Sequence, residues 1–134
     1  MAQDKLFYVG QKAFIEKDGA VLILTDPQRG LDFPGGKIQD GETDFVEALK
    51  REVLKETNLE IEIGVPFCVW SYTFPPDHRN QGEVFLVGYR CTYRSGEVRL
   101  SDEHIDFRWV TKSTYQQLAN QNDAYYRALK SYFD

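Results

Sequence analysis

The 134-residue sequence predicts an α+β domain, a mixed β-sheet covered by helices, on three observations. Strand-like segments with alternating apolar residues recur from Leu6 to Val110, helical spacing is confined to Asp44–Thr57 and the C-terminal tail, and a breaker-rich stretch from Thr25 to Gly41 separates the first strands from the first helix. Strands interleaved with few helices pack best as one sheet carrying helices on its faces.

Leu6 to Ile15 predicts the first strand, Asp18-Gly19 a hairpin turn, and Ala20 to Leu24 the returning strand. Thr25 to Gly41 holds Pro27, Gly30, Pro34, Gly35, Gly36 and Gly41, which excludes regular structure over most of the stretch. A loop of that length is uncommon in a small domain unless it serves a function. Thr43 or Asp44 can cap a helix running to about Thr57, with Asn58 as a left-handed stop. Leu59 to Val65 and, beyond Pro66, Phe67 to Phe74 predict two strands, followed by a polar loop from Pro75 to Gly82. Glu83 to Tyr93 alternates, Ser95-Gly96 turns the chain, and Asp106 to Val110 is a short last strand. Ser113 to Leu118 and Asp123 to Phe133 have helical spacing, the latter placing Tyr125, Leu129 and Tyr132 on one side. That helix can pack on its own sheet or on a partner, so monomer and homodimer both stand.

Hydrophobic residues make up 42% of the chain and aromatics 14%, enough for one self-sufficient core, and no linker or repeat divides residues 1–134. The net charge of −5 repels polyanions, so the expected partner is a small phosphorylated ligand rather than a nucleic acid polymer. The N-terminal apolar run is broken by Gly10, Gln11 and Lys12, so neither a signal peptide nor a membrane span is expected. Cys68 and Cys91 make no disulfide framework, and reduced thiols in a cytoplasm are expected.

The helix from Asp44 to Thr57 is where the sequence turns to chemistry. On a helical wheel Phe45, Val46, Leu49 and Val53 share one arc, with Glu56 just inside its edge and Glu52 just outside. Like charges four residues apart repel by roughly a few tenths of a kcal/mol, and burial against the glycine stretch would raise at least one carboxyl pKa. A divalent cation relieves both. Mg²⁺ takes one or two carboxylates with phosphate oxygens and water, Mn²⁺ is the expected substitute, and the Phe33–Lys37 segment can bring a carbonyl such as that of Gly36 to the same ion. Such a site lowers the pKa of water that attacks phosphorus. Taken singly, two glutamates four apart are ordinarily a solvated face, Pro-Gly-Gly is ordinarily a turn, and Arg51 ordinarily pairs with Glu47 on the surface.

Together these residues resemble the Nudix box, G-x5-E-x7-R-E-U-x-E-E-x-G-U with U a bulky aliphatic residue, over Gly36 to Leu59. Gly36 and Glu42 keep the first spacing, Arg51-Glu52 is the R-E pair, Val53 and Leu59 take the aliphatic positions, and Glu56 is the second of the paired glutamates. Three positions depart from the box. Eight residues rather than seven separate Glu42 from Arg51, Lys55 stands at the first of the paired glutamates, and Asn58 replaces the glycine. Asn tolerates the left-handed conformation, whereas Lys55 removes a ligand and adds a positive charge.

The resemblance implies an α/β/α sandwich around a mixed sheet and an Mg²⁺-dependent pyrophosphohydrolase acting on a nucleoside diphosphate-linked small molecule. It implies metal ligation by the Gly36 carbonyl, Glu52 and Glu56, with Arg51 orienting the glutamates and Glu42 bracing the loop or binding metal through water. Tyr72-Thr73-Phe74-Pro75, and Glu103 six residues before Trp109, are similar to MutT-like members. Glu103 is therefore a candidate further ligand, and Glu52 or Glu103 the candidate general base, while His104 is expected to position their loop. Lys37 and Lys55 are candidate substrate contacts, and Phe74, with Phe33, Trp70 and Tyr72, a candidate base-stacking surface. Pro75, sixteen residues past the box, is a spacing associated with ADP-ribose hydrolases and found in MutT-like triphosphatases. A nucleoside triphosphate is favoured over ADP-ribose or another nucleotide sugar. The alternative is a weakened Nudix domain, thinned by Lys55, that binds a nucleotide or metabolite for regulation.

Overall fold

A computed structural model describes residues 2–75, 82–119 and 121–134, so most of the polar loop expected at Pro75–Gly82 lies outside the described residues. Strands β1 (Tyr8–Lys17) and β2 (Ala20–Asp26) form the expected hairpin. Its turn residues Asp18 and Gly19 have φ of 52° and 81°, the left-handed pair that matches the twist of the flanking strands. After β3 (Gly30–Asp32) and β4 (Gly35–Lys37) comes helix α1 (Phe45–Thr57), then β5 (Glu60–Thr73), β6 (Glu83–Ser95), β7 (Asp106–Val110), a 3-10 turn at Tyr115–Gln117 and helix α2 (Ala124–Phe133).

Among the described residues the strands join one seven-stranded mixed sheet in the order β3-β2-β1-β6-β5, with β4 paired to β1 and β7 to β2. β1 and β6 run parallel from Tyr8 opposite Val84 to Glu16 opposite Thr92, and the remaining pairs are antiparallel. A parallel pair requires a crossover, and the chain between β1 and β6 supplies one that carries α1.

Strand alternation sorts the core into two layers. Phe14, Val21, Ile23, Val84 and Leu86 pack with Tyr125, Leu129 and Tyr132 of α2, while Ala13, Ile15, Leu22 and Leu24 pack with Leu49 and Val53 of α1. Helices on both faces make this the α/β/α sandwich. Phe14 stacks on Phe33 at 4.0 Å between ring centroids, and Phe33 on Tyr125 at 6.2 Å, tying α2 to its own sheet.

Asp44 caps α1 by accepting from the Glu47 N–H at 3.1 Å, and Asn58 ends it with φ of 66° while donating its N–H to the Leu54 carbonyl. Four expectations change. The breaker-rich stretch contains β3 and β4, because glycines can still pair when their neighbours are already in register. The two strands expected around Pro66 are one, β5, with register shifts flanking a proline that has no N–H to give. The helix expected over Ser113–Leu118 shrinks to the 3-10 turn. The arc of α1 facing the sheet is Ala48, Leu49, Val53, Glu56 and Thr57, leaving Phe45 and Val46 exposed. Glu56 and Thr57 can be buried because each finds a backbone partner, Gly35 N–H and the Val53 carbonyl, which hydrophobicity alone does not register.

Among the described residues no helix is long and apolar enough to cross a membrane. Cys68 and Cys91 are free, and burial pushes their thiols up to about 11 and about 12.

Candidate active site

The site grows from Gly35 and Gly36, the point where β4 lies between β1 and α1. Gly35 has φ of 146°, and a Cβ there would fall 2.0 Å from the Gln11 carbonyl oxygen, so β4 can pair with β1 only with a bare backbone. Its N–H donates to Glu56 Oε1 at 3.0 Å. At Gly36 a Cβ would sit 3.2 Å from Glu52 Oε2. The two glutamates, one turn apart on α1, thus both rest on the glycine pair.

Glu56 is 3% exposed. Burial pushes its carboxyl up to about 8, against the pull of Lys12 and the Gly35 N–H. Glu103 and His104, from the loop before β7, converge on it: one ligand atom each from Glu56, Glu103 and His104 lie within 4.8 Å of one another. A buried carboxylate beside other ligating groups, on a glycine cradle that a Cβ would crowd, fits a divalent cation with oxygen preference.

A buried charge chain runs behind this cluster. His104 Nε2 lies 2.9 Å from Asp32 Oδ2, and Lys12 Nζ lies 3.1 Å from Asp32 Oδ1. Burial would raise the Asp32 pKa, but the charge of Lys12 and the hydrogen bond from His104 outweigh it and hold it down to about 2. Burial likewise works against charging Lys12 and His104, yet Asp32 raises both above their ordinary values.

On the α2 face of the sheet a cleft of about 230 Å³ opens beside Gly36, lined by Lys12, Arg29, Lys37, Tyr72, Phe74 and Tyr125. Arg29 lies 3.4 Å above the Tyr125 ring and pairs with Asp123 at 3.2 Å, so its guanidinium is held in place at the cleft wall.

The structure sets Glu52 against Gly36 and Glu103 beside Glu56, and puts Lys37, Tyr72 and Phe74 on the cleft. It does not bring Lys55 there: that side chain is exposed on α1 and is not among the residues lining the cleft. Phe33 and Trp70 belong to the core rather than the cleft. Arg51 pairs with Glu42, not with Glu47, which lies nearest Lys50 at 3.8 Å. Glu42 also accepts the Gln39 N–H at 2.7 Å, and this bond and Arg51 hold its pKa below the ordinary range. Glu42 is thus tied to the loop at Gln39 and to α1 at Arg51.

Sequence reasoning missed Lys12, Asp32, Arg29 and Tyr125. Lys12 carried a usable signal, since it shares the parity of Phe14 on the same strand. Arg29 and Asp32 carried none, because their partners are residues distant in sequence.

The NUDIX domain family matches residues 12–131 of the chain. No curated protein matches it in sequence. Among solved structures it is similar to a MutT protein from Methanosarcina mazei Go1, with 25% identity over 99% of this chain and 96% of that one and a TM-score of 0.78. A MutT NUDIX hydrolase from Burkholderia pseudomallei shares 27% identity over 92% and 95%, with a TM-score of 0.71. An ADP-ribose pyrophosphatase from Streptococcus suis, 18% identical over 79% and 75% with a TM-score of 0.60, shares the fold.

Proposed function

The chain belongs to the NUDIX domain family, and on that premise we propose that it is an Mg²⁺-dependent pyrophosphohydrolase cleaving a phosphoanhydride bond in a nucleoside triphosphate. The observation that carries this reading is the seating of Glu52 and Glu56 on the Gly35–Gly36 pair, with Glu103 beside Glu56. Glu52, Glu56, Glu103 and the Gly36 carbonyl would hold the cation, with Mn²⁺ as a substitute. When bound, it neutralises phosphate charge and makes water a better nucleophile at neutral pH.

The protein's own groups do the rest. Tyr72 and Phe74 offer aromatic faces to the base. Lys12, Lys37 and Arg29 line the cleft together with Asp26 and Asp32, and Lys12 and Arg29 are paired with Asp32 and Asp123; Lys37 is the cation proposed to meet the phosphate chain. Glu52 or Glu103 accepts the proton of the attacking water; its oxygen bonds to phosphorus, and the bridging P–O bond breaks with its electrons passing to the departing phosphate. Arg51 keeps Glu42 in place and so keeps the loop that presents Gly36. A cleft that sets Lys37 and the aromatic rings of Tyr72 and Phe74 beside Gly36 supports a nucleotide with its phosphates toward the carboxylates.

The test is a panel of nucleoside triphosphates, ADP-ribose and other nucleotide sugars, assayed for phosphate or pyrophosphate release with Mg²⁺ and with EDTA. Mg²⁺-dependent release from a triphosphate is expected. Release confined to nucleotide sugars overturns the substrate class. No turnover with ligand-dependent thermal stabilisation makes the chain a binding module instead.

A further inference from the structure

His104 has two ring nitrogens, and the protein fold accounts for one. Its side chain is 4% exposed, and Nε2 meets Asp32 Oδ2 at 2.9 Å. Asp32 is fixed in turn by Lys12 Nζ at 3.1 Å and by the Phe33 N–H at 2.8 Å. A carboxylate so held is an acceptor, so Nε2 carries a proton, and in the neutral ring Nδ1 is then a bare lone pair. That Nδ1 is buried and has no hydrogen-bond partner among the described residues. Buried polar atoms of this kind are rare enough to need a reason.

The ring also sits among other ligating groups. His104 belongs to the same cluster as Glu56 and Glu103, with one ligand atom of each inside 4.8 Å. We propose that His104 Nδ1 is a direct ligand of the catalytic metal, joining Glu56 and Glu103, with Asp32 orienting the ring. The inference rests on the metal site of the preceding section and adds to its oxygen donors a nitrogen. Histidines that bind metal usually donate their other N–H to a carboxylate, which fixes tautomer and ring angle. Here Lys12, Asp32 and His104 already form that arrangement. Ligation at Nδ1 uses the neutral ring, whose tautomer the Nε2–Asp32 hydrogen bond selects. The imidazole adds one nitrogen donor to a site otherwise made of carboxylate and carbonyl oxygens, which suit Mg²⁺ and Mn²⁺ alike.

The decisive measurement is pulsed EPR of Mn²⁺ bound to the full chain, read for coupling to ¹⁴N. The sequence has two histidines, His78 and His104, which makes the assignment clean. Directly coordinated nitrogen is expected in the wild type, retained in His78→Gln and lost in His104→Gln, with Mn²⁺ affinity of the latter down about tenfold or more. If His104→Gln does not fold, coupling retained in His78→Gln still assigns the nitrogen to His104. Bound Mn²⁺ without nitrogen coupling, or coupling lost in His78→Gln, overturns the His104 ligand and leaves the carboxylate site standing. Failure of the wild type to bind Mn²⁺ or Mg²⁺ overturns both.

Discussion

The Gly35 N–H donates to Glu56 Oε1 at 3.0 Å, joining the glycine stretch to the helix across 21 positions of sequence. One contact therefore serves two purposes: it satisfies a buried amide and aims a buried carboxylate. Substituting Glu56 separates them. Glu56→Gln keeps an acceptor for Gly35 and should fold with near-native stability while losing metal affinity by calorimetry. Glu56→Ala strands the amide as well and should cost about 1–3 kcal/mol in denaturant unfolding.

The two glycines should respond differently to alanine. Gly35→Ala drives a Cβ to 2.0 Å from the Gln11 carbonyl oxygen at a φ of 146°, so β4 must leave β1, and a large fall in Tm with loss of activity is expected. Gly36→Ala meets only the end of the Glu52 side chain, at 3.2 Å. It should fold normally and show lowered kcat, because what shifts is a carboxylate rather than a strand. Circular dichroism melts with steady-state kinetics on both variants make the comparison.

Glu52→Gln and Glu103→Gln identify the general base. Loss of the base should lower kcat by about 10² to 10⁴, and a variant retaining near-full activity removes that residue from the role. Because both are also placed as metal ligands, each assay needs Mg²⁺ raised to saturation.

Glu56 and Asp32 give the stability of the metal-free protein opposite pH slopes. Burial raises Glu56 from its ordinary 4.5 to about 8, so its contribution is full below about 4.5 and is lost as pH rises through about 8. Tm in EDTA should fall over that interval, and Glu56→Gln should flatten the fall. Asp32 is held down to about 2, so its contribution is present above about 4 and lost as pH falls toward 2. Asp32→Asn should abolish that acid-side loss.

Phe74→Ala tests the aromatic wall. Removing a stacking face that holds ground state and transition state alike should raise KM with kcat little changed. A drop in kcat at constant KM would place Phe74 in the chemistry instead.

Much of this was legible from the residues. Asp44 and Asn58 marked the ends of α1 because capping is local chemistry. Spacing put Glu52 and Glu56 on one face, and the glycines beside them announced a backbone that must come close. Strand-like segments interleaved with few helical ones pointed to a mixed sheet covered by helices, while the sorting of Phe14, Val21 and Ile23 from Ala13, Ile15, Leu22 and Leu24 is seen in the structure. The Lys12–Asp32–His104 chain was illegible because it joins three residues from distant parts of the sequence, and its members make sense only as partners. The parallel pairing of β1 with β6 was hidden for the same reason. Phe45 and Val46 misled because an apolar residue does not have to be inside, whereas a glutamate with a waiting N–H can be.

The sheet acts as a bulkhead between two trades. The acidic residues of α1 lie against one face and the cleft with Arg29, Tyr72, Phe74 and Tyr125 opens on the other, with Gly36 as the hatch between them. Tyr72 and Phe74, at the rim of the cleft and away from α1, can therefore be exchanged with little effect on the packing of the carboxylates, whereas Tyr125 is part of the core. A variant library confined to Tyr72 and Phe74 would retune which compound is accepted at constant hydrolytic chemistry, making this small domain a scaffold on which selectivity can be rewritten separately from bond cleavage.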